Sequence, residues 1–126
     1  MAPQDLRYTK DHEWVRLDGD VATIGITDFA AHQLGDIVFV ELPDLGRAVT
    51  QFGPIGVVES VKAVSDLYSP VDGEVTAVNA DVNLEHLADD PYQAGWFIKI
   101  KISNPAGLAD LLDAAAYKKQ CEEEPH

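Results

Sequence analysis

From Trp96 to Ser103 the chain alternates apolar and polar positions. Trp96, Ile98, Ile100 and Ile102 fall on one face, and Phe97, Lys99, Lys101 and Ser103 on the other. This period of two predicts a half-buried antiparallel strand. Other β-rich runs precede it. Two of them flank Asp18-Gly19-Asp20, a strong short-hairpin signal. "DIVFVELP" predicts a strand closed by Pro43. "FGPIGVVESV" and "AVSDLYS" predict the arms of a second hairpin, and "PVDGEVTAVN" a strand entered through Asp72-Gly73. Helical spacing is confined to short stretches. Thr27 is placed to cap a helix that Gly35 ends, with Phe29, Ala30 and Leu34 as its apolar contacts. Weak helical spacing surrounds Val82, Leu84 and Leu87. After a cap at Ser103 or Asn104, with Pro105 at the first helical position, Leu108, Leu111 and Leu112 share a face, and a further short helix starts near Asp113. Many short strands with frequent turn signals predict a mainly β fold, a β-sandwich or flattened barrel with peripheral short helices and a C-terminal helical segment. Gly46 and Gly73 stand at turns on either side of the second hairpin, where positive φ is expected.

At 126 residues the chain is expected to form one domain over 1–126. Its core runs from about 7 to 117, and the tail, 118–126, frays because Glu122 to Glu124 sit unfavourably at a helix C-terminus. Acids outnumber bases 22 to 9, for a net charge of −13. That argues against nucleic acid and against anionic membrane surfaces as partners. No apolar run approaches the ~20 residues of a membrane span. The first residues contain no apolar signal core and no Arg- and Ser-rich stretch, so a cytoplasmic chain is expected, or a mitochondrial one if this is a matured form. The single cysteine, Cys121, excludes an intramolecular disulfide and a zinc site of paired cysteines, and reads as a bystander thiol.

The candidate chemistry lies at the tip of the second hairpin, Ser60-Val61-Lys62-Ala63. A nucleophilic lysine needs burial or a neighbouring cation, and a hairpin tip supplies neither. Local chemistry leaves two readings: an ordinary solvated turn lysine, which it favours, or a handle presented to a modifying enzyme. No Ser-His-Asp set, phosphate loop or metal-ligand cluster stands out by spacing, so no catalytic or metal-binding residue is assigned.

"ESVKAVSDLYSPVDGEV" resembles the lipoyl-attachment segment of the glycine cleavage system H proteins. "HEWVR", "ATIGITDFA", "LGDIVFVELPDLG" and "DPYQAGWFIKIKISNP" resemble the same family in the same order, over roughly Arg7 to Tyr117. Biotin carriers place their lysine between methionines, whereas Met1 is the only methionine here. The lipoyl domains of 2-oxoacid dehydrogenases usually show Asp-Lys-Ala and continue into linkers. The resemblance implies a lipoyl/biotinyl-carrier-like sandwich of the hammerhead type, and a non-catalytic carrier with lipoic acid amide-linked to Lys62. Glu59, Val61 and Ala63 would be read by the modifying enzyme, a lipoate ligase or a lipoyl/octanoyl transferase. The implied role is to shuttle the aminomethyl group of glycine from the glycine decarboxylase (P-protein) to the aminomethyltransferase (T-protein). Dihydrolipoyl dehydrogenase (L-protein) would then reoxidise the arm. A relay of lipoate to other acceptors is the related alternative. Gly46 and Gly73 match the family's turn glycines. Glu13 and Asp66 match acids of a cleft for the loaded arm, and Asp11 stands where some relatives carry serine. The family's arm-side histidine falls at Gln33 here; His32 is offset by one position, and the role is not transferred to it. His86 and His126 read as solvated. The stretch from Asn79 to Pro91 is shorter than usual for the family and lacks its Asn-Pro-Glu.

Overall fold

The computed structural model describes residues 6–79, 91–92 and 95–123. The helical spacing around Val82, Leu84 and Leu87, together with His86 and His126, lies outside the described residues. Nine strands form two antiparallel sheets among the described residues. They are β1 (Arg7–Tyr8), β2 (Glu13–Asp18), β3 (Val21–Ile26), β4 (Ile37–Glu41), β5 (Ala48–Val49), β6 (Pro54–Ser60), β7 (Val64–Tyr68), β8 (Gly73–Val78) and β9 (Ile98–Ile102). The larger sheet has the order β1-β2-β3-β9-β8-β5, and the smaller β4-β6-β7. Neither closes on itself, so the arrangement is the expected sandwich and not a closed barrel. The chain also forms a helix α1 (Asp28–Leu34), a 3-10 turn (Pro105–Asp110) and a helix α2 (Ala114–Glu123).

Local sequence explains most of the boundaries. The β2–β3 hairpin pairs Asp18 with Val21 across Gly19, whose φ is +62°. Thr27 Oγ1 accepts the Ala30 N–H at the start of α1, and at its end the Gly35 N–H donates to Ala31 O. Asn104 caps the 3-10 turn.

The core lies between the sheets. Val15, Ile24, Ile26, Val75, Ile98 and Ile100 meet Ile37, Ile55, Val58 and Leu67, with Ala31 of α1 closing one end. Alternation along β2 sends Val15 into this core and Trp14 to the opposite face. There Trp14 joins Leu6, Tyr8 and Tyr117 beneath α2. Tyr8 and Tyr117 stack with ring centroids 4.6 Å apart. The Tyr117 hydroxyl lies 2.6 Å from Thr27 Oγ1 and 2.7 Å from His12 Nδ1. Burial holds this phenol protonated. Helix α2 thus continues to Glu123, through the stretch expected to fray, because Tyr117 anchors it and Gln120 Nε2 donates to Lys10 O.

Two local expectations are corrected. Phe97 was placed on the outer face with the lysines, yet it is fully buried. Regular pairing starts only at Ile98. Before that the chain is held by Phe97 N–H to Ile24 O and by Asn79 N–H to Phe97 O, which turns Phe97 inward and leaves Trp96 half-buried outside, under the Lys99 ammonium. Gly46 has the expected positive φ, +83°. Gly73 does not; a Cβ there would sit 2.1 Å from Lys101 O on the neighbouring strand. The glycine is needed for close strand approach rather than for a turn.

Candidate functional site

The β6–β7 hairpin closes without glycine or asparagine because none of its four tip residues has a positive φ. Ser60 replaces that requirement with its side chain. Its hydroxyl oxygen accepts the Ala63 N–H at 3.1 Å and the Lys62 N–H at 3.3 Å, while the Ser60 N–H donates to Ala63 O at 2.8 Å. Such local side-chain bonds stabilise a turn in place of backbone pairing. The tip is also fixed from outside, since the Val61 N–H donates to Asp36 O at 3.0 Å, in the connection between α1 and β4. Lys62 is exposed, as are Val61 and Ala63. The lysine stem passes near the end of α1: a Cβ on Gly35 would lie 3.7 Å from Lys62 Cε. Glu59 is half-buried and pairs with both Phe39 and Val64 in the sheet register. His32 and Gln33 are both exposed in the last turn of α1.

The three acids expected to line an arm cleft come together around Tyr68, but not as three open carboxylates. Glu13 shares the inward face of β2 with Val15 and is 1% exposed. Its Oε1 accepts the Thr9 hydroxyl at 2.5 Å and its Oε2 the Tyr68 N–H at 3.3 Å, so the carboxyl bridges the two sheets. Burial pushes its pKa up to about 8, because a charge is costly away from water. Asp11 is exposed, and its N–H donates to Thr9 Oγ1. Asp66 is exposed and accepts the Tyr68 hydroxyl at 3.5 Å. The negative field of Asp66 first, then of Asp11 and Glu13, raises the Tyr68 phenol above its ordinary value.

Thr9 and Tyr68 were missed by sequence reasoning. Alternation along β7 puts Tyr68 on the face of Asp66 and was a usable signal. Thr9 is only four residues from Glu13 and joined to it by a locally bonded turn, in which the Thr9 N–H donates to Glu13 O and the His12 N–H to Thr9 O, but no glycine or Asn-Gly signal marks that turn.

A small two-sheet domain that projects one exposed lysine on a braced hairpin belongs, by its architecture, to the acyl-carrier β-sandwiches. The comparisons narrow that class. The family model for the glycine cleavage H-protein matches residues 6–124. The glycine cleavage system H protein of Symbiobacterium thermophilum is 55% identical over 117 residues, covering 91% of each chain. That of Carboxydothermus hydrogenoformans is 51% identical over 126 residues, covering 98% of this chain and 97% of its own. The crystal structure of the glycine cleavage system H protein from Mycobacterium marinum matches with a TM-score of 0.86 at 38% identity, covering 94% of this chain and 98% of that one. The chain belongs to the glycine cleavage H-protein family. Members of this family are lipoyl-carrier subunits, not catalysts, and function with the enzymes of the glycine cleavage system.

Proposed function

We propose that this chain carries lipoate on Lys62 and shuttles the aminomethyl group of glycine from P-protein to T-protein, with reoxidation by L-protein. The observation that carries the reading is an exposed lysine on a tip held by Ser60 and Asp36. Attachment needs Lys62 Nζ to attack the carboxyl carbon of an activated lipoyl group. The amide C–N bond forms, the activating group leaves with its bonding pair, and the amine proton passes to a base on the modifying enzyme. Glu59, three residues before the lysine at the end of β6, supplies a carboxylate for recognition. When bound, the lipoyl group supplies a disulfide that takes up and releases the one-carbon cargo. The chain's own part is to present the arm to each enzyme, keeping the cargo at high effective concentration.

Lys62→Arg is expected to fold normally and to abolish modification by a lipoate–protein ligase, read by intact mass and peptide mapping. Lipoate on Lys99 or Lys101 would overturn the assignment. Glu59→Ala is expected to slow modification while leaving Tm nearly unchanged.

Around Tyr68, the Glu13, Asp66 and Asp11 carboxyls suit a cationic nitrogen. Burial favours the neutral form of Glu13, and an arriving cation lowers its pKa so that the carboxyl releases its proton to solvent. The protein then gains a buried charge only when the partner charge is beside it. A charge-assisted hydrogen bond there contributes ~1.5–3 kcal/mol, equivalent to about ten- to a hundredfold in retention. Lipoylated protein loaded with P-protein and glycine, then freed of both, should release ammonia that much faster in Glu13→Ala. Equal rates for wild type, Glu13→Ala and Asp66→Ala would remove these carboxyls from the role.

A further inference from the structure

Seven large apolar side chains are exposed among the described residues, and four of them, Val38, Phe39, Val61 and Val64, lie on the hairpin tip or on strands beside it. The other three, Leu17, Leu45 and Phe52, sit on separate connections or strands. The clustering has a structural cause. The register of β4 against β6 slips between Ile37 and Phe39, and this bulge leaves Val38 and Phe39 both facing solvent, 56% and 50% exposed. Bulges commonly re-aim side chains in this way beside functional sites.

The register also fixes what lies next to what. Phe39, Glu59 and Val64 form one cross-strand row on a single face of the smaller sheet. Directly paired residues of this kind have Cβ atoms ~4.5–5.5 Å apart. The next row on the same face is Glu41, Val57 and Asp66. The face is therefore a checkerboard: apolar, acidic, apolar, and below it acidic, apolar, acidic, with Lys62 just beyond the upper row. Glu59 is framed by two exposed hydrophobic chains and already half removed from water. A cation brought to it would complete that desolvation, the setting in which charged pairs act as binding hot spots.

We infer that the Phe39–Glu59–Val64 row, with Val61, is the docking face for the enzyme that acylates Lys62, and that Phe39 and Val64 set that enzyme's specificity. The inference rests on the assignment of Lys62 as the attachment site. Charge complementarity fixes the chemistry of the partner. Its surface must offer a basic side chain to Glu59, apolar contacts on either side, and further basic groups toward Glu41 and Asp66.

The test is steady-state acylation of the unmodified chain by a bacterial lipoate–protein ligase with lipoate, ATP and magnesium, followed by intact mass. Phe39→Ala and the isosteric Val64→Thr should each lower kcat/KM by about tenfold, chiefly through KM, with Tm unchanged because both side chains are exposed. Phe39→Leu should recover most of the loss. Leu45→Ala, which removes a side chain 67% exposed on a different connection, should change nothing. Glu59→Gln should weaken the dependence of KM on salt. A Phe39→Ala/Val64→Thr double variant acylated within about twofold of wild type would overturn the inference. So would a loss seen only in loading by glycine decarboxylase, since that would give the face to another enzyme. Lipoate accepted by Lys62→Arg would overturn the attachment site itself, a result separable from either.

Discussion

Glu13 is the carboxyl group whose environment departs furthest from its ordinary chemistry among the described residues. Burial raises its pKa from 4.5 to about 8 in the folded chain, so between those values the folded state holds a proton that the unfolded state has released. Its contribution to stability is complete below pH 4.5, falls as pH rises, and is lost above about 8. The slope is bounded by ~1.4 kcal/mol per pH unit for one proton. Urea unfolding from pH 5 to 8 should show wild type losing stability relative to Glu13→Gln, whose amide does not titrate. Parallel profiles would place the proton elsewhere. The burial of Glu13 was legible in part: it shares the parity of Val15 in β2, so a pleated strand must send both inward. What the sequence does not carry is its partner. The Tyr68 N–H reaches it from the other sheet, and no spacing rule spans that distance. Lys62 was the opposite case, since its place at a tip follows from the strand runs on either side of it, although the brace from Asp36 does not.

Among the elements, the tip of the β6–β7 hairpin takes two of its bonds from one hydroxyl. Ser60→Ala would leave the Lys62 and Ala63 N–H groups without their acceptor, at a cost of ~1 kcal/mol. Amide exchange at Ala63 should quicken while the strands stay protected, and unchanged exchange would show that the tip closes without the serine. Gly46 and Gly73, both expected at turns, separate two physical causes that the sequence presents alike. Gly46→Ala meets nothing within 4 Å but must hold φ at +83°, a penalty of ~1–2 kcal/mol. Gly73→Ala adds a carbon 2.1 Å from Lys101 O and 2.6 Å from Ile100 Cγ2. It must push β8 from β9, and should destabilise the fold by well over ~2 kcal/mol. Thermal melts of the pair should rank Gly73→Ala below Gly46→Ala. Hairpins, caps and the helix ends near Thr27, Gly35 and Asn104 were readable because each is decided within a few residues. The bulge at Val38 was not, because it exists only in the pairing of β4 with β6, and the inward turn of Phe97 depends on its bonds to Ile24 and Asn79.

At the scale of the molecule, two hydrophobic clusters lie on opposite faces of the larger sheet, and α2 covers the second. Tyr117→Phe removes the hydroxyl that meets both Thr27 and His12 and should cost ~1–2 kcal/mol through the loss of those hydrogen bonds. Trp14 fluorescence should report the loosened packing, and an unchanged melting temperature would show that stacking on Tyr8 alone secures the helix. The bracing of the hairpin tip has a different kind of consequence. With Val61 tied to Asp36 and the lysine backbone tied to Ser60, the base of the lysine is a fixed pivot, and only side-chain torsions remain to move. Whatever hangs from Lys62 explores a volume whose centre is set by the sandwich and part of which the sandwich itself excludes. The motion is then a random search inside a bounded shell around one point. Encounter with any other part of the protein's surface is then governed by the length of the tether and not by a rearrangement of the fold.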